Sequence, residues 1–440
     1  MLRTLFIEGI GPVSPLTADF APRINIITGD NGLGKSFFLD VCLWALTGRW
    51  PVSNVVNPDP ACTAPKMKVS TTTSVRHGGF DFDCDGWFDD GAPPTPKDAL
   101  VITAAVNGDF LTWDPHRTGG GSKERGVSVA EPLHLHASGQ AEYDDSPGFG
   151  SGLPVFRDIA NGHGTPARMV CNGLIADWSN WYLESRGSEF AGSPFPILDA
   201  VVSLLSHPTE PIRCGPPTRI YPDDSRRFPT LIMPYGSVAY PHWSAGVKRI
   251  VHLAYMLVWA WVEHQASARL RRLEPTRHLV LLIDEVESHL HPRWQRSILP
   301  AILKVAELLS PDLKIQVIAT THSPLVLASL EPDFNEEQDQ LFCFNFDPKA
   351  PREQMVTFDA LPWVNHGDAV GWLTSDVFGL TQARSTEAEI AIEAAEAFAR
   401  GELDALPPNL KTREAITREL QRVLGSMDRF WPRWIARVQK

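Results

Sequence analysis

One short segment near the amino terminus constrains the fold of this chain more than any other. Residues 29–36 read GDNGLGKS, which fits the pattern G-x-x-x-x-G-K-[ST]. Glycines let such a loop curl until successive backbone N–H groups point inward at phosphate oxygens. The lysine brings a cation to the phosphates, and the last hydroxyl supplies an oxygen ligand for Mg²⁺. The segment therefore predicts a nucleoside triphosphate site, made by Gly29, Asp30, Asn31, Gly32, Gly34, Lys35, Ser36 and Phe37.

The segments on either side of this loop are those that the motif requires. Residues 23–28 (RINIIT) predict a buried strand that runs into the loop. Residues 37–47 predict the helix behind it, which Gly48 and Pro51 end. The positive amino end of this helix would point at the phosphates and favour their binding.

The rest of the chain predicts an α/β fold. Residues 1–28 alternate apolar runs with turns, which predicts antiparallel strands, and residues 51–165 predict further strand-like pieces between long loops. From residue 244 helices alternate with strands, and such an order is typical of a mostly parallel sheet. The predicted helices are 246–272, 292–309 and 323–330, and the predicted strands are 278–283, 315–319, 341–346 and 355–358.

Two adjacent carboxylates follow the apolar strand 279–283 (LVLLI). A strand of a parallel sheet is buried on both faces, and ligands bind beyond its carboxyl end. We therefore predict that Asp284 holds Mg²⁺ opposite Ser36, and that Glu285 polarises the water that attacks the γ-phosphate.

Two further motifs are weaker when taken alone. His322 ends the next strand, where a donor can reach the γ-phosphate, although a lone histidine is usually structural. Ser244 and Gly246 open the long helix, and a helix start offers unpaired N–H groups, a hydroxyl and a positive dipole end to an anion. By itself that helix start is only an N-cap.

The order of these motifs resembles the ABC-type ATPases of the SMC, Rad50, RecF and OLD kind. In that family the signature S-G-G-x-K/R of one subunit closes over the ATP held by the phosphate loop of another. Ser244, Gly246 and Lys248 match this signature, with Ala245 in place of a glycine. The resemblance also implies that Asp284 is the metal aspartate, Glu285 the catalytic glutamate and His322 the switch histidine, and that residues 287–292 line a dimer interface.

The sequences IDEVESHLHP at 283–292 and ATTHSP at 319–324 are similar to the corresponding motifs of prokaryotic defence-associated AAA ATPases. The ATPase subunit of Septu-type anti-phage systems is one such protein. The similarity covers most of residues 1–45 and 230–330. It implies a homodimer or higher homo-oligomer built on sandwiched ATP and Mg²⁺, and a separate effector such as a nuclease, since no nuclease motif is visible in the chain.

The family also places a glutamine between the phosphate loop and the signature, where it helps to bind Mg²⁺. Gln140 is the only glutamine between Ser36 and Ser244, and we assign it this role. Other metal-like patterns are less complete. The acidic run 81–86 lacks the glutamate of a calcium loop at its twelfth position, and the histidine pairs 134/136 and 289/291 lack further zinc ligands at a recognisable spacing.

Composition limits the partners. The net charge of −12 excludes a basic nucleic-acid coat, so any contact with DNA or RNA would need a local patch. Residues 411–440 are rich in arginine with interleaved tryptophans, which predicts a solvated helical tail and leaves a nucleic-acid contact open. The scattered cysteines and the lack of a membrane-spanning apolar run predict a cytoplasmic protein without a membrane partner.

The sequence thus predicts an ABC-type P-loop ATPase head with a β-rich lobe, a helical insertion and a helical C-terminal tail. Two other functions stay open, namely a transporter's nucleotide-binding subunit and a scaffold that hydrolyses ATP very slowly. The predicted segments are 1–50 (strands and phosphate loop), 51–230 (β-rich and helical insertion), 231–384 (signature, carboxylate pair and switch histidine) and 385–440 (tail).

Overall fold

The computed structural model describes residues 1–47, 65–72, 75–81, 86–89, 99–117, 133–135, 155–157, 168–187, 192–351 and 354–438. The chain divides into two compact units, Met1–Asn365 and His366–Lys440. This division falls between residues 365 and 366, whereas the last boundary predicted from the sequence falls between residues 384 and 385. The four predicted segments stay a prediction. None of the helices within the described ranges is long and apolar enough to cross a membrane.

The first unit contains strands and helices in mixed order. Its strands are β1 (Leu2–Glu8), β2 (Leu16–Asp19), β3 (Ile24–Gly29), β4 (Lys66–Thr71), β5 (Val75–Asp81), β6 (Gly86–Asp89), β7 (Ala99–Ala104), β8 (Phe110–Trp113), β9 (Leu133–Leu135), β10 (Val155–Arg157), β11 (Arg168–Cys171), β12 (Arg213–Thr218), β13 (Phe228–Met233), β14 (Gly236–Ala239), β15 (His278–Ile283), β16 (Lys314–Thr320), β17 (Asp339–Phe346) and β18 (Val356–Leu361). Its helices are α1 (Lys35–Thr47), α2 (Leu174–Glu184), α3 (Phe195–Leu205), α4 (Ala245–Arg271), α5 (Pro292–Gln295), α6 (Ile298–Leu309) and α7 (Pro324–Leu330).

An eight-stranded sheet in the order β18-β17-β3-β16-β15-β7-β8-β9 carries the predicted motifs. Strands β17, β3, β16, β15 and β7 run parallel, while β18 and β8 pair antiparallel at either side. The prediction of a mostly parallel sheet is confirmed. Because parallel strands present their carboxyl ends at one edge, the loop after β3 and the carboxylates after β15 meet there.

The amino-terminal strands form a separate antiparallel sheet in the order β2-β1-β4-β5-β6, as the turns in residues 1–28 predicted for β1 and β2. Helix α1 contacts β1 of this sheet and also β3, β7, β15 and β16 of the central sheet. Its Phe38 is fully buried and packs near Phe344 and Phe358. The first helix is therefore fixed from two sides, which holds the loop before it in place.

The structure differs from the sequence prediction at β7. Residues 51–230 were predicted as an insertion, yet β7 lies in the central sheet beside β15, with Ala104 paired to Ile283. Between β7 and β8 the chain turns back at Asn107 and Gly108, Gly108 having φ 89°. An Asn-Gly pair favours such a hairpin turn because both residues tolerate positive φ.

Helix α4 begins and ends within one residue of its predicted bounds, 246–272. Ser244 caps it by accepting the N–H of Val247, and Arg272 ends it in the left-handed conformation, φ 56°. The predicted helix 292–309, in contrast, is interrupted at Arg296 and Ser297, so that α5 and α6 are separate. Most of α4 is buried, which suits the apolar run of residues 250–262.

The second unit is helical, with α8 (Ala369–Leu373), α9 (Thr386–Arg400), α10 (Arg413–Val423) and α11 (Phe430–Val438). Ile392, Ile416, Leu420 and Trp434 form part of its own buried core. Residues 385–440 were predicted to be a helical tail, and in the structure the apolar faces of the three long helices pack on one another. The predicted helices themselves are confirmed.

Candidate nucleotide-binding site

Two glycines shape the loop between β3 and α1. Gly29 has φ 129°, and a Cβ there would lie 2.2 Å from the carbonyl oxygen of Phe344. Gly34 has φ 96°, and a Cβ there would lie 2.7 Å from Cγ of Pro12. Both positions combine a backbone conformation that L side chains rarely adopt with no room for one. The loop can therefore hold its curled backbone only with glycine at these points.

Lys35 begins α1 and turns back over the loop. Only 6% of it is exposed, and its Nζ donates to the carbonyl oxygens of Gly29 (2.9 Å) and Asp30 (2.6 Å). Burial lowers the pKa of Lys35, while the carboxylates of Asp284 and Glu285 raise it. The ammonium group thus lies at the centre of the loop and close to both predicted carboxylates.

Asp284 accepts two hydroxyl hydrogen bonds at the carboxyl edge of the sheet. Ser36 Oγ donates to its Oδ2 at 2.7 Å, and Thr320 Oγ1 donates to its Oδ1 at 2.6 Å. The structure therefore brings together the two predicted magnesium ligands, which are 248 residues apart in the chain. A hydroxyl and a carboxylate at an exposed position are the hard oxygen donors that Mg²⁺ prefers, so the residues present fit this ion.

Glu285 has an unusual backbone conformation. Its φ of 44° is left-handed, which costs of order 1–3 kcal/mol for a residue with a side chain. The Glu285 N–H donates to Thr320 Oγ1 at 2.7 Å. Thr320 therefore serves both carboxylate residues, since it donates to Asp284 and accepts from Glu285. No sequence motif identifies Thr320, although it is the last residue of β16, the strand next to β15.

Arg249 is a second residue that the sequence analysis did not assign to the site. It lies in the second turn of α4 and is 8% exposed. Its Nη1 donates to the carbonyl oxygen of Ala105 at 2.5 Å, and its Nη2 donates to that of Asp284 at 3.2 Å. Burial lowers the pKa of Arg249, and the Asp284 and Glu285 carboxylates raise it. The signal in the sequence was a charged residue, Arg249, directly before the apolar run of residues 250–262.

His322 lies at the same edge of the sheet, just after β16. Its N–H donates to Glu287 Oε1 at 2.5 Å, and the hydroxyl of Thr321 donates to Glu287 Oε2 at 2.7 Å. Burial lowers the pKa of His322, and the neighbouring Lys35 ammonium lowers it further. The structure thus places this histidine near the phosphate loop. Glu287, expected at an interface, anchors the chain around His322 within one subunit.

Asp40 is a further carboxylate near the site. It lies one helical turn after Ser36 on α1, and its pKa is raised to about 7 by burial and by the charge of Asp284. The i, i+4 spacing from Ser36 would have placed both on one helix face. A half-buried carboxyl here adds to the negative charge that a bound cation would neutralise.

The signature-like residues lie at the start of α4. Ser244 is exposed, and Lys248 Nζ lies over the ring of Tyr240, 5.4 Å from its centroid. Gly246 is buried, and a Cβ there would lie 2.7 Å from the carbonyl oxygen of His289. In the described part of the chain, no hydrogen bond or ion pair joins these three residues to the loop at 29–36. Gln140 and most of the acidic run 81–86 lie outside the described residues.

Comparison with known proteins agrees with this geometry. A family model described as "AAA domain, putative AbiEii toxin, Type IV TA system" matches residues 236–328, and a second AAA-domain model matches residues 4–71. These two matches cover the phosphate loop, the signature-like residues at the start of α4, the carboxylate pair and His322. They support an ATPase domain assembled from both ends of the first unit.

Proteins similar to this chain include a Septu protein and probable ATPases of retrons. The Septu protein PtuA of Bacillus thuringiensis is 21% identical over 410 residues, covering 88% of this chain and 86% of that protein. A retron Ec83 probable ATPase of Escherichia coli is 42% identical over 52 residues, which is 12% of this chain and 8% of that protein. The resemblance to Septu-type ATPases that the sequence motifs predicted is thereby confirmed.

Solved structures with a similar arrangement include an SMC head bound to the C-terminal winged-helix domain of ScpA, at 13% identity and a TM-score of 0.41, covering 82% of this chain and 98% of that one. The recombination mediator RecF with ATP matches at 13% identity and a TM-score of 0.34, covering 82% and 97%. The described part of this chain is itself α/β, with the phosphate loop between β3 and α1 of a mostly parallel sheet.

Proposed function

We propose that this chain binds ATP with Mg²⁺ in the loop at 29–36 and hydrolyses the γ-phosphate, and that two chains sandwich two nucleotides. The observation that carries the proposal is the 2.7 Å hydrogen bond between Ser36 and Asp284, with Lys35 and Glu285 beside it. Phosphoryl transfer is catalysed mainly by positioning and by charge, and these four side chains supply both.

Each residue has a distinct task in this proposal. Lys35 leaves its carbonyl partners and binds the β- and γ-phosphates, while the first turn of α1 contributes N–H groups. Ser36 and Asp284 would hold Mg²⁺, which neutralises charge on the phosphates. Glu285 accepts a hydrogen bond from the attacking water and orients it, a contribution typically worth about 10²–10⁴ in rate. His322 donates to or senses the γ-phosphate.

The sandwich is supported by the position of the signature-like residues. Ser244 is exposed and begins a long helix, so its hydroxyl and the positive helix end are free to meet an anion from outside the subunit. None of the described contacts joins it to the phosphate loop of its own chain. In the proposed assembly, the helix start of one subunit therefore closes over the nucleotide of its partner.

We further propose that ATP controls a separate effector, most simply a nuclease, in an anti-phage defence or DNA-processing complex. The similarity to a Septu protein and to retron ATPases supports the defence setting. The second unit gives a place for partner contact, because Arg413, Arg418, Arg429 and Arg433 are exposed there. DNA or RNA remains a candidate partner for the same charges.

The test is the solution mass of the wild type and of Glu285→Gln, each with and without MgATP. Glutamine is isosteric with glutamate but cannot act as a base, so the variant should bind ATP and stay closed. We expect ATP to raise the mass of the wild type transiently and that of the variant persistently. A mass that ATP does not change in either protein, together with absence of phosphate release from the wild type, would rule out the proposed function.

A further inference from the structure

The peptide group between Asp284 and Glu285 is held at both of its polar ends. Its N–H, from Glu285, donates to Thr320 Oγ1 at 2.7 Å, and its carbonyl oxygen, from Asp284, accepts from Arg249 Nη2 at 3.2 Å. Glu285 has the left-handed φ of 44°, a conformation that persists only where surrounding contacts impose it. These two hydrogen bonds therefore set the direction of the Glu285 side chain.

The two contacts come from different parts of the fold. Thr320 ends β16, so its contact is internal to the central sheet. Arg249 belongs to α4 and lies five residues after Ser244, which is about 7–8 Å along the helix at 1.5 Å per residue. A long, largely buried helix moves as a rigid body. A shift at Ser244 would thus move the Arg249 guanidinium relative to the sheet.

Arg249 has few alternatives to this position. It is 8% exposed, and the hydrogen bonds described for its guanidinium go to the carbonyl oxygens of Ala105 and Asp284. These two carbonyl groups belong to the residues that directly follow β7 and β15, which are neighbouring strands in the sheet. A planar, forked donor can bridge two such strand ends, whereas an ammonium cannot reach both with one fixed geometry.

A second contact joins the same helix start to the same segment. Gly246 lies so close to His289 that a Cβ would come within 2.7 Å of the His289 carbonyl oxygen. His289 is itself left-handed, with φ 63°. The first two turns of α4 therefore contact both ends of the segment 284–289, with Arg249 at Asp284 and Gly246 at His289. Each end of this segment has a residue with positive φ, namely Glu285 and His289.

We propose that Arg249 is a positioning residue that ties the start of α4 to the Asp284–Glu285 peptide, so that nucleotide seated at Ser244 sets the position of the Glu285 carboxylate. This inference rests on the proposed sandwich. There, Ser244 contacts the partner's nucleotide while Glu285 acts on the nucleotide of its own subunit. Arg249 then couples the two ATP sites, and hydrolysis at one depends on closure at the other.

The first experiment compares Arg249→Met and Arg249→Lys with the wild type, and uses Arg271→Met as the control. Arg271 is an exposed arginine at the far end of the same helix. The measurements are the nucleotide Kd, the kcat of ATP hydrolysis, the Hill coefficient for ATP and the thermal midpoint. For Arg249→Met we expect kcat to fall about 10- to 100-fold, the Kd to stay within about threefold and the Hill coefficient to approach 1. Arg249→Lys should fall in between, and the control should match the wild type.

The second experiment uses mixed assemblies that have one complete site. Subunits carrying Lys35→Ala are coexpressed with subunits carrying Ser244→Arg. The one intact ATP site then combines the phosphate loop of the Ser244→Arg subunit with the helix start of the Lys35→Ala subunit. In the starting assembly no nucleotide is seated at the helix start of the Ser244→Arg subunit, so its working Glu285 should hydrolyse ATP at well below half the wild-type rate. Arg249→Met placed in that subunit removes the remaining tie to Glu285 and should lower this rate about tenfold or more. Placed in the Lys35→Ala subunit it disturbs an idle Glu285, and hydrolysis should persist.

The outcomes separate the inference from the proposed function. Equal losses in both mixed assemblies, an unchanged kcat in Arg249→Met, or a wild-type Hill coefficient of 1 would overturn the inference and leave the ATPase proposal standing. A wild type that releases no phosphate overturns the proposed function instead. If Arg249→Met fails to fold, Arg249→Lys in the same mixed assemblies gives the same comparison.

Discussion

Thr320 and Asp284 lie side by side at the carboxyl edge of the central sheet, and the Thr320 hydroxyl donates to Asp284 Oδ1 at 2.6 Å. The same hydroxyl oxygen accepts the N–H of Glu285 at 2.7 Å. A single threonine thus orients both the carboxylate proposed to hold the metal and the residue proposed to activate water. Because Thr320 is fully buried, no solvent molecule can replace its hydroxyl in these contacts.

Thr320→Val should therefore impair catalysis more than binding. Valine keeps the shape but leaves the Glu285 N–H without its partner, at a cost of about 1–3 kcal/mol of folding free energy. We expect kcat to fall about tenfold or more while the nucleotide Kd changes little, as measured by phosphate release and by nucleotide titration. Thr320→Ser, which keeps the hydroxyl, is the control. Equal kcat values in the valine and serine variants would contradict this role.

Lys35→Ala should abolish ATP binding. The Lys35 ammonium is buried in the loop and has carbonyl oxygens as its partners, so its charge is available to phosphate oxygens at the same place. Titration with a fluorescent ATP analogue should show loss of saturable binding. Lys314→Ala, an exposed lysine at the opposite ends of the strands, should bind as the wild type does. Hydrolysis by Lys35→Ala at near the wild-type rate would show that the site assignment is wrong.

Gly246→Ala separates the effect of helix propensity on stability from the effect of a steric contact. Alanine is favoured over glycine within a helix by about 1 kcal/mol, which alone would stabilise α4. At Gly246, however, the new Cβ would lie 2.7 Å from the His289 carbonyl oxygen, so the helix start or the loop must shift. We expect a lower thermal midpoint and weaker ATP-dependent assembly, measured by calorimetry and solution mass. Gly425→Ala, in the segment between α10 and α11 where a Cβ meets nothing within 4 Å, is the control for a glycine substitution that makes no close contact.

His252 predicts a specific dependence of stability on pH. Burial in α4, together with the nearby cations of Lys248 and Arg249, lowers its pKa from the ordinary 6.5 to about 4. Above pH 6.5 the imidazole is neutral in both states. Between pH 6.5 and 4 only the unfolded chain takes up the proton, so the folding free energy contributed by this group is lost as pH falls.

The expected loss from His252 is about 2–3 kcal/mol between pH 7.5 and pH 4.5, at about 1.4 kcal/mol per pKa unit. Denaturant titrations of the wild type and of His252→Gln at the two pH values measure it. The variant should lose less stability on acidification, because glutamine does not titrate. Identical pH dependence in the two proteins would show that His252 is not the group responsible.

Much of the nucleotide site was predictable because its residues are consecutive in the chain. The loop at 29–36 carries its glycines, lysine and serine at fixed spacing, and the structure shows why Gly29 and Gly34 admit no side chain. The carboxylates after β15 were predicted from a single apolar strand, whose bounds of 278–283 the structure reproduces. Local sequence determines such units, since backbone conformation and strand burial act over a few residues.

Only the tertiary structure decided which distant residues complete the site. Thr320, Arg249 and Asp40 are ordinary residues in their own segments, and they gain a role because strand pairing and helix packing bring them to Asp284. Likewise, pairing with β15 brought β7 into the central sheet, and the apolar faces of α9–α11 packed into a core of their own. The sequence by itself determined the phosphate loop, the carboxylate pair and the parallel strands. The contacts that orient Glu285 were decided by long-range packing, which no local pattern records.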